Sequence, residues 1–210
     1  MTFQDLNLIK NIQQALTEEG YTAPTPIQQQ AIPIILEGTD LVGCAQTGTG
    51  KTAAFAIPII NYLHRIVGSN TKRKLIRTLV ITPTRELAVQ IGESFDTYAK
   101  YTNIRQITIF GGVNQTPQVD QLKKGADVVI ATPGRLLDLH KQGFIDLNHL
   151  HFLVLDEADL MLDMGFINDV KKIIKLTPDN RQTLLFSATM PLAIREIADS
   201  YLTKPKYVSV

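Results

Sequence analysis

The chain alternates short, continuous runs of Val, Ile and Leu with longer stretches of helical periodicity, and that alternation leaves few folds open. Candidate strands are Asp40–Cys44, Thr78–Thr82, Gln106–Phe110, Asp127–Ala131, Phe152–Leu155, Thr183–Ser187 and Tyr207–Val210. Most are apolar throughout, as strands covered on both faces must be. Between them, Arg85–Tyr101 repeats Leu87, Ile91 and Phe95 at a helical spacing, and Pro191–Tyr201 gathers Ile194, Ile197 and Ala198 on one face. Such alternation predicts an α/β domain, a mostly parallel sheet with helices on both faces. Ligands of these sheets sit beyond the carboxyl ends of the strands, so the residues that follow each run are the ones to read for chemistry.

Bulk properties narrow the classes further. A length of 210 residues with 44% hydrophobic and 20% charged residues suits one large domain with a substantial core. The net charge of +1 neither demands nor excludes nucleic acid, since phosphate binding needs only local positive charge. The single cysteine, Cys44, rules out an internal disulfide framework and a thiolate zinc cluster, and its apolar surroundings in sequence predict a buried, inert thiol. His149 and His151, at alternate positions, would share one side of a strand, but no third ligand accompanies them and they read as structural. Met1–Asp5 lacks the basic start and apolar stretch of a signal peptide. The longest apolar stretch, Ala53–Ile60, contains Pro58 and is too short to cross a bilayer, so a cytoplasmic protein without a membrane partner is expected. The loose, basic stretch Gly68–Lys74 reads as a solvated surface loop.

The first strand runs into Ala45-Gln46-Thr47-Gly48-Thr49-Gly50-Lys51-Thr52 and then a helical pattern. This nearly matches the phosphate loop G-x-x-x-x-G-K-[ST], in the strand-to-helix setting that the chemistry requires. Gly48 and Gly50 let several backbone N–H groups turn toward one anion, and the helix start adds partial positive charge. Lys51 can reach the β- and γ-phosphates, and Thr52 can offer its hydroxyl to Mg²⁺. Ala45 replaces the first glycine of the general pattern. A plain Gly-rich turn would account for the glycines but not for Lys51-Thr52 at that offset.

A second signal reinforces the first. The apolar strand Phe152–Leu155 ends in Asp156-Glu157-Ala158-Asp159. A carboxylate there is where a phosphate-loop enzyme holds magnesium through water, which gives Asp156 a metal role beside Thr52. Glu157 is placed to orient or deprotonate an attacking water. An acidic tetrapeptide alone is usually a solvated turn. Behind a buried strand and downstream of a phosphate loop it reads as catalytic, and the pair points to nucleoside triphosphate hydrolysis.

These residues resemble the DEAD-box helicase family, whose eponymous sequence is Asp156-Glu157-Ala158-Asp159 and whose phosphate loop commonly begins with alanine, as Ala45 does. The likeness runs from Phe3 to about Tyr207, and Asp163-Met164-Gly165-Phe166 resembles the bacterial RhlE-type branch. It implies a RecA-like domain over residues 1–210 that takes ATP and Mg²⁺. Residues from about 3 to 28 resemble the adenine-reading Q motif: Gly20–Gln28, with the lone aromatic Phe3 upstream. The Gln28 amide can pair with adenine N7 and N6, and Tyr21 can cover the base face. Guanine, with O6 in place of that donor, would break the pair.

Three further segments resemble the family's RNA-contacting motifs, each just after a candidate strand: Pro83-Thr84-Arg85-Glu86-Leu87-Ala88, Gly111-Gly112 and Thr132-Pro133-Gly134-Arg135. Hydroxyls, arginines and exposed backbone N–H groups grip phosphate and sugar without reading bases, and contacts to the 2′-hydroxyl would favour RNA over DNA. Ser187-Ala188-Thr189 resembles the motif that couples nucleotide state to unwinding, through hydrogen bonds to Asp159. By the same resemblance, ATP and RNA together close two RecA-like domains and pry apart a short duplex. The second domain and its arginine finger have no counterpart in these residues, so weak hydrolysis and no unwinding are expected of them alone. Two alternatives remain in view: an ATP-gated RNA clamp, and a DNA-directed motor sharing the same loops.

Overall fold

The computed structural model describes residues 1–68 and 75–210. The expected surface loop at Gly68–Lys74 therefore lies, past Gly68, outside the described residues. A short 3₁₀ turn (Phe3–Leu6), α1 (Lys10–Glu18) and α2 (Pro26–Leu36) lead into β1 (Leu41–Cys44) and α3 (Lys51–Val67). Then come β2 (Thr78–Ile81), α4 (Arg85–Tyr98), β3 (Gln106–Ile109), α5 (Thr116–Lys124), β4 (Val128–Ala131) and α6 (Pro133–Lys141). The remainder is β5 (Phe152–Leu155), α7 (Ala158–Asp163), α8 (Ile167–Lys175), β6 (Gln182–Ser187), α9 (Leu192–Tyr201) and β7 (Lys206–Ser209). The described strands form one seven-stranded sheet in the order β3-β4-β2-β5-β6-β1-β7. Every ladder is parallel.

The continuous apolar runs are explained by two cores, one on each face. Leu41, Val80, Val128, Val154, Leu184 and Phe186 point to one side, where α2, α3 and α4 cover them. Val42, Leu79, Ile81, Val129, Leu153 and Leu185 point to the other, against α6, α8 and α9. Successive residues of the central strands thus serve opposite cores, which is why they do not alternate with polar residues. The edge strands do alternate: in β3 only Ile107 and Ile109 are buried, and in β7 only Val208. Gly43 lets the sheet receive Phe186, because a Cβ at that position would stand 2.6 Å from the Phe186 ring. Phe186 in turn packs on Phe55, ring centroids 5.5 Å apart.

Three expectations need correcting. Cys44 is half-buried rather than sealed, because β1 is followed only by the edge strand β7 and its end opens on a cavity beside Met190, Arg195 and Tyr207. His149 and His151 are not on a strand: His149 sits in a turn and His151 at a bend before β5. The helix from Arg85 stops at Tyr98, and the following turn sends Lys100 and the Tyr101 hydroxyl to the Glu18 carboxylate. Among the described residues no helix is long and apolar enough to cross a membrane.

Candidate active site

Because all strands run the same way, every loop that leaves a carboxyl end opens on one edge of the sheet. That edge divides in two. Adjacent β5, β6 and β1 carry the acidic tetrapeptide, Ser187-Ala188-Thr189 and the phosphate loop. Adjacent β3, β4 and β2 carry Gly111-Gly112, Thr132–Arg135 and Pro83–Arg85. Segments far apart in sequence are thereby brought side by side.

The phosphate loop turns on two glycines in left-handed conformations, Gly48 at φ 85° and Gly50 at φ 94°, the second at the start of α3. Gly50 is constrained twice, since a Cβ there would lie 2.5 Å from Gln28 Nε2. Gln28 is buried, accepts from the Thr25 backbone N–H at 3.0 Å and donates to the Gly50 carbonyl at 3.2 Å. It therefore caps α2 and steadies the loop, with one N–H and one oxygen lone pair still uncommitted. Thr49 closes the turn through its hydroxyl, which donates to the Gln46 carbonyl at 2.7 Å.

Lys51 points back under the loop. Its ammonium donates to the Ala45 carbonyl at 2.9 Å and to Glu157 Oε1 at 2.8 Å, in a nearly sealed pair. Thr47 donates to the same carboxylate oxygen at 3.3 Å. Glu157 holds this place from a left-handed backbone, φ 53° and ψ 50°, which is costly outside glycine and typical of functional turns. Asp156, one residue earlier, is 4% exposed, and its Oδ1 has no hydrogen-bond partner. Burial first, and then the neighbouring Glu157 charge, push its carboxyl up to about 7, against the opposing pull of Lys51 and a backbone N–H. These side chains line one cavity of about 340 Å³ with Thr47, Gly48, Gly50 and Thr52.

Sequence reasoning missed the far wall of that cavity, which is Leu87, Gln90 and Ile91 of α4. Leu87 and Ile91 read as an apolar helix face, Leu87 also as part of an RNA-contacting segment, and Gln90 carried no signal of its own. Phe3 and Tyr21 do not line it. They meet edge to face at 6.1 Å beside a separate cavity of about 180 Å³, and the Tyr21 hydroxyl lies 3.0 Å from that of Tyr98.

On the neighbouring half of the edge, Thr84 and Thr132 stand at helix starts. The Thr84 hydroxyl accepts from Leu87 N–H at 3.2 Å, and Pro133 opens α6. Arg85 lies over the Phe110 ring at 4.8 Å. Arg135 braces the Gly111-Gly112 turn by donating to the Val113 carbonyl at 2.9 Å and to Gln118 Oε1 at 3.2 Å. Gly111, Gly112 and Gly134 are exposed.

The third group meets as the resemblance implied. Asp159 Oδ2 accepts from the Thr189 hydroxyl at 2.8 Å and from its N–H at 2.9 Å. Ser187 acts differently from Thr189: its Oγ accepts from the Asp159 backbone N–H at 3.1 Å. Partial burial would raise the Asp159 carboxyl, but hydrogen bonds led by the Thr189 hydroxyl outweigh it and hold the group below its usual range.

A glycine-rich loop at a helix start, facing an acidic strand end across a parallel sheet, defines a phosphate-loop nucleotide-binding domain of RecA-like fold. A family model described as DEAD/DEAH box helicase matches residues 25–197, and the chain belongs to that family. It is 48% identical over 210 residues to the ATP-dependent RNA helicase DeaD of Buchnera aphidicola, covering 100% of this chain and 34% of that protein. To the DEAD-box ATP-dependent RNA helicase CshA of Geobacillus kaustophilus it is 44% identical, covering 100% of this chain and 44% of that one. The chain thus spans less than half the length of these curated relatives. A crystal structure of a DEAD box protein from Methanococcus jannaschii superposes with a TM-score of 0.91 at 40% identity, over 100% of this chain and 56% of that one.

Proposed function

We propose that this domain is the ATP-binding half of an ATP-dependent RNA helicase, acting in the cytoplasm with a second RecA-like domain of the same parent protein. The observation that carries the reading is the meeting of Lys51, Thr52, Asp156 and Glu157 in one cavity, with the segments that resemble RNA-contacting motifs on the adjacent strand ends. ATP would place its phosphates on the loop amides and Lys51. The adenine would be read by the uncommitted N–H and lone pair of Gln28, with Phe3 and Tyr21 at the base-facing side.

The donor set also suits Mg²⁺. The orphaned, buried Oδ1 of Asp156 shares the cavity with the Thr52 hydroxyl, and a hydrated divalent cation would satisfy it. When bound, the metal supplies charge neutralisation at the phosphates. Glu157 then has its own task, accepting a proton from the attacking water once phosphate has taken Lys51 from it. Thr84, Arg85, Gly112, Thr132 and Arg135 would hold an RNA strand by sugar and phosphate, indifferent to sequence. The bonds from Thr189 and Ser187 to Asp159 would pass the state of the acidic loop to the end of β6.

Glu157→Gln in the full-length parent tests the reading against a pure clamp. Unwinding of a short RNA duplex should fall about 10²-fold or more, as loss of a general base does, while RNA stays bound in the presence of ATP. Unwinding that survived would favour the clamp. Equal competition by DNA for the ATP-bound protein would favour a DNA-directed motor.

A further inference from the structure

The end of β2 sets a second orphaned polar group beside Asp156. β2 and β5 pair in parallel as far as Ile81 and Leu155, so the next residues, Thr82 and Asp156, are neighbours across the ladder. Side chains alternate along both strands. Val80 and Val154 belong to the core under α3 and α4, and Ile81 and Leu155 to the opposite one. Thr82 and Asp156 therefore both turn toward the face that α3 and α4 cover. Thr82 is fully buried, and its hydroxyl has no hydrogen-bond partner. Neither has Asp156 Oδ1. An unpaired donor and an unpaired acceptor thus occupy adjacent positions on one face of the sheet.

A buried hydroxyl without a partner weakens a fold, and its presence calls for an account. On its other flank Asp156 meets β6, where the register of Leu155 with Leu185 brings Phe186 alongside. A phenyl ring offers no such donor. The Lys51 ammonium is directed to the Ala45 carbonyl and to Glu157. Thr82 is then the strand neighbour able to donate to this carboxylate. An ionised carboxylate has about four lone-pair sites, so a hydroxyl and a metal-bound water can be seated on it together. A turn of the Thr82 side chain between staggered wells would aim its hydroxyl at β5.

We propose that Thr82 is a positioning residue: its hydroxyl donates to Asp156 Oδ1 and fixes the carboxylate plane when the divalent cation is bound. Partners of this kind hold a metal-binding side chain in one orientation and raise its affinity without touching the metal. This role rests on the magnesium reading of Asp156 and extends it. Thr78 provides an internal comparison. It lies on the same face of β2, is also fully buried, and its hydroxyl is also unpartnered. Its neighbour on β5, however, is Phe152 rather than a carboxylate.

The test titrates Mg²⁺ into the domain holding a fluorescent ADP analogue and reads the concentration of half-maximal response. Thr82→Val, which keeps the shape and deletes the hydroxyl, should raise that concentration about tenfold, the low end for loss of such a partner. Thr82→Ser should keep the parent value, and so should Thr78→Val. Melting in EDTA separates this role from a structural one. There Thr82→Val should melt no lower than the parent sequence, because the hydroxyl it removes holds nothing. An unchanged midpoint in Thr82→Val, an equal rise in Thr78→Val or Thr82→Ser, or a lowered melting point would overturn the assignment. A parent domain whose bound analogue gave no response to Mg²⁺ would overturn the magnesium reading itself, and this role with it.

Discussion

The ammonium of Lys51 stands 2.8 Å from Glu157 Oε1, and the Ala45 carbonyl takes a second of its protons at 2.9 Å. The cation that would take phosphate is thus already engaged by the carboxylate that would activate water. On the proposed reading, an incoming triphosphate would part the two and so free both for their separate tasks. The same contact offsets the cost of burying two adjacent carboxylates, Asp156 and Glu157, beside a single cation.

Removing Lys51 should therefore harm folding as well as binding. Lys51→Ala leaves Glu157 buried without its partner, a loss on the order of 3 kcal/mol in urea unfolding of the domain. Adding Glu157→Gln to that variant should restore much of it, giving a coupling energy of about 1–3 kcal/mol in the double-mutant cycle. Additive effects would mean that the 2.8 Å contact contributes nothing. Nucleotide binding should be lost in Lys51→Ala and remain lost in the double variant.

Asp156 gives a stability profile of unusual sign. Its folded carboxyl, at about 7, lies above the ordinary 3.8, so the folded state holds the proton more tightly than the unfolded chain. The stabilisation is fully present below about pH 4 and fades as pH rises through about 7. Asp156→Asn keeps the shape without the buried charge. At pH 8 in the absence of nucleotide it should melt higher than the parent sequence by at least about 2 °C, and the gap should narrow at pH 5. A gap independent of pH would show that the carboxylate is not strained by burial. The same variant should lose magnesium-dependent tightening of nucleotide binding.

The sequence carried the sheet because its central strands serve two cores at once and say so by being apolar at every position, as Leu79–Ile81 and Phe152–Leu155 are. It carried the convergence of Lys51 with Asp156 because parallel strands send all their carboxyl ends to one edge. What it could not carry depends on where side chains point across long separations. The Lys51–Glu157 pair joins residues over a hundred positions apart. The cavity wall from Leu87 and Gln90 belongs to a helix whose pattern is equally that of ordinary packing. Cys44 misled for a related reason: an apolar run says nothing about whether its last residue lies under an edge strand.

Gln28 has two tasks that substitution should separate. Its amide caps α2 and touches the Gly50 carbonyl, so Gln28→Ala should cost about 1 kcal/mol of stability, as loss of a cap does. Gln28→Glu keeps the acceptor for the Thr25 N–H but has no donor for Gly50 or for an adenine acceptor. Both variants should narrow the preference for ATP over GTP in equilibrium binding. A preference unchanged in both would confine Gln28 to the structural task.

Ser187 and Thr189 both meet Asp159, yet they should fail differently. Ser187 is fully buried, and its hydroxyl satisfies the Asp159 backbone N–H, so Ser187→Ala orphans a donor at the start of α7. That loss should cost about 1–2 kcal/mol of domain stability. Thr189 is exposed, and Thr189→Val removes only the hydroxyl while the backbone N–H still holds Asp159 Oδ2. Its cost should stay under about 1 kcal/mol, with nucleotide binding by the domain unaltered. In the full-length parent, Thr189→Val should instead lower RNA unwinding for each ATP consumed, because the contact it deletes joins the acidic loop to the end of β6. Equal destabilisation by the two variants would contradict the division between a buried support and an exposed link.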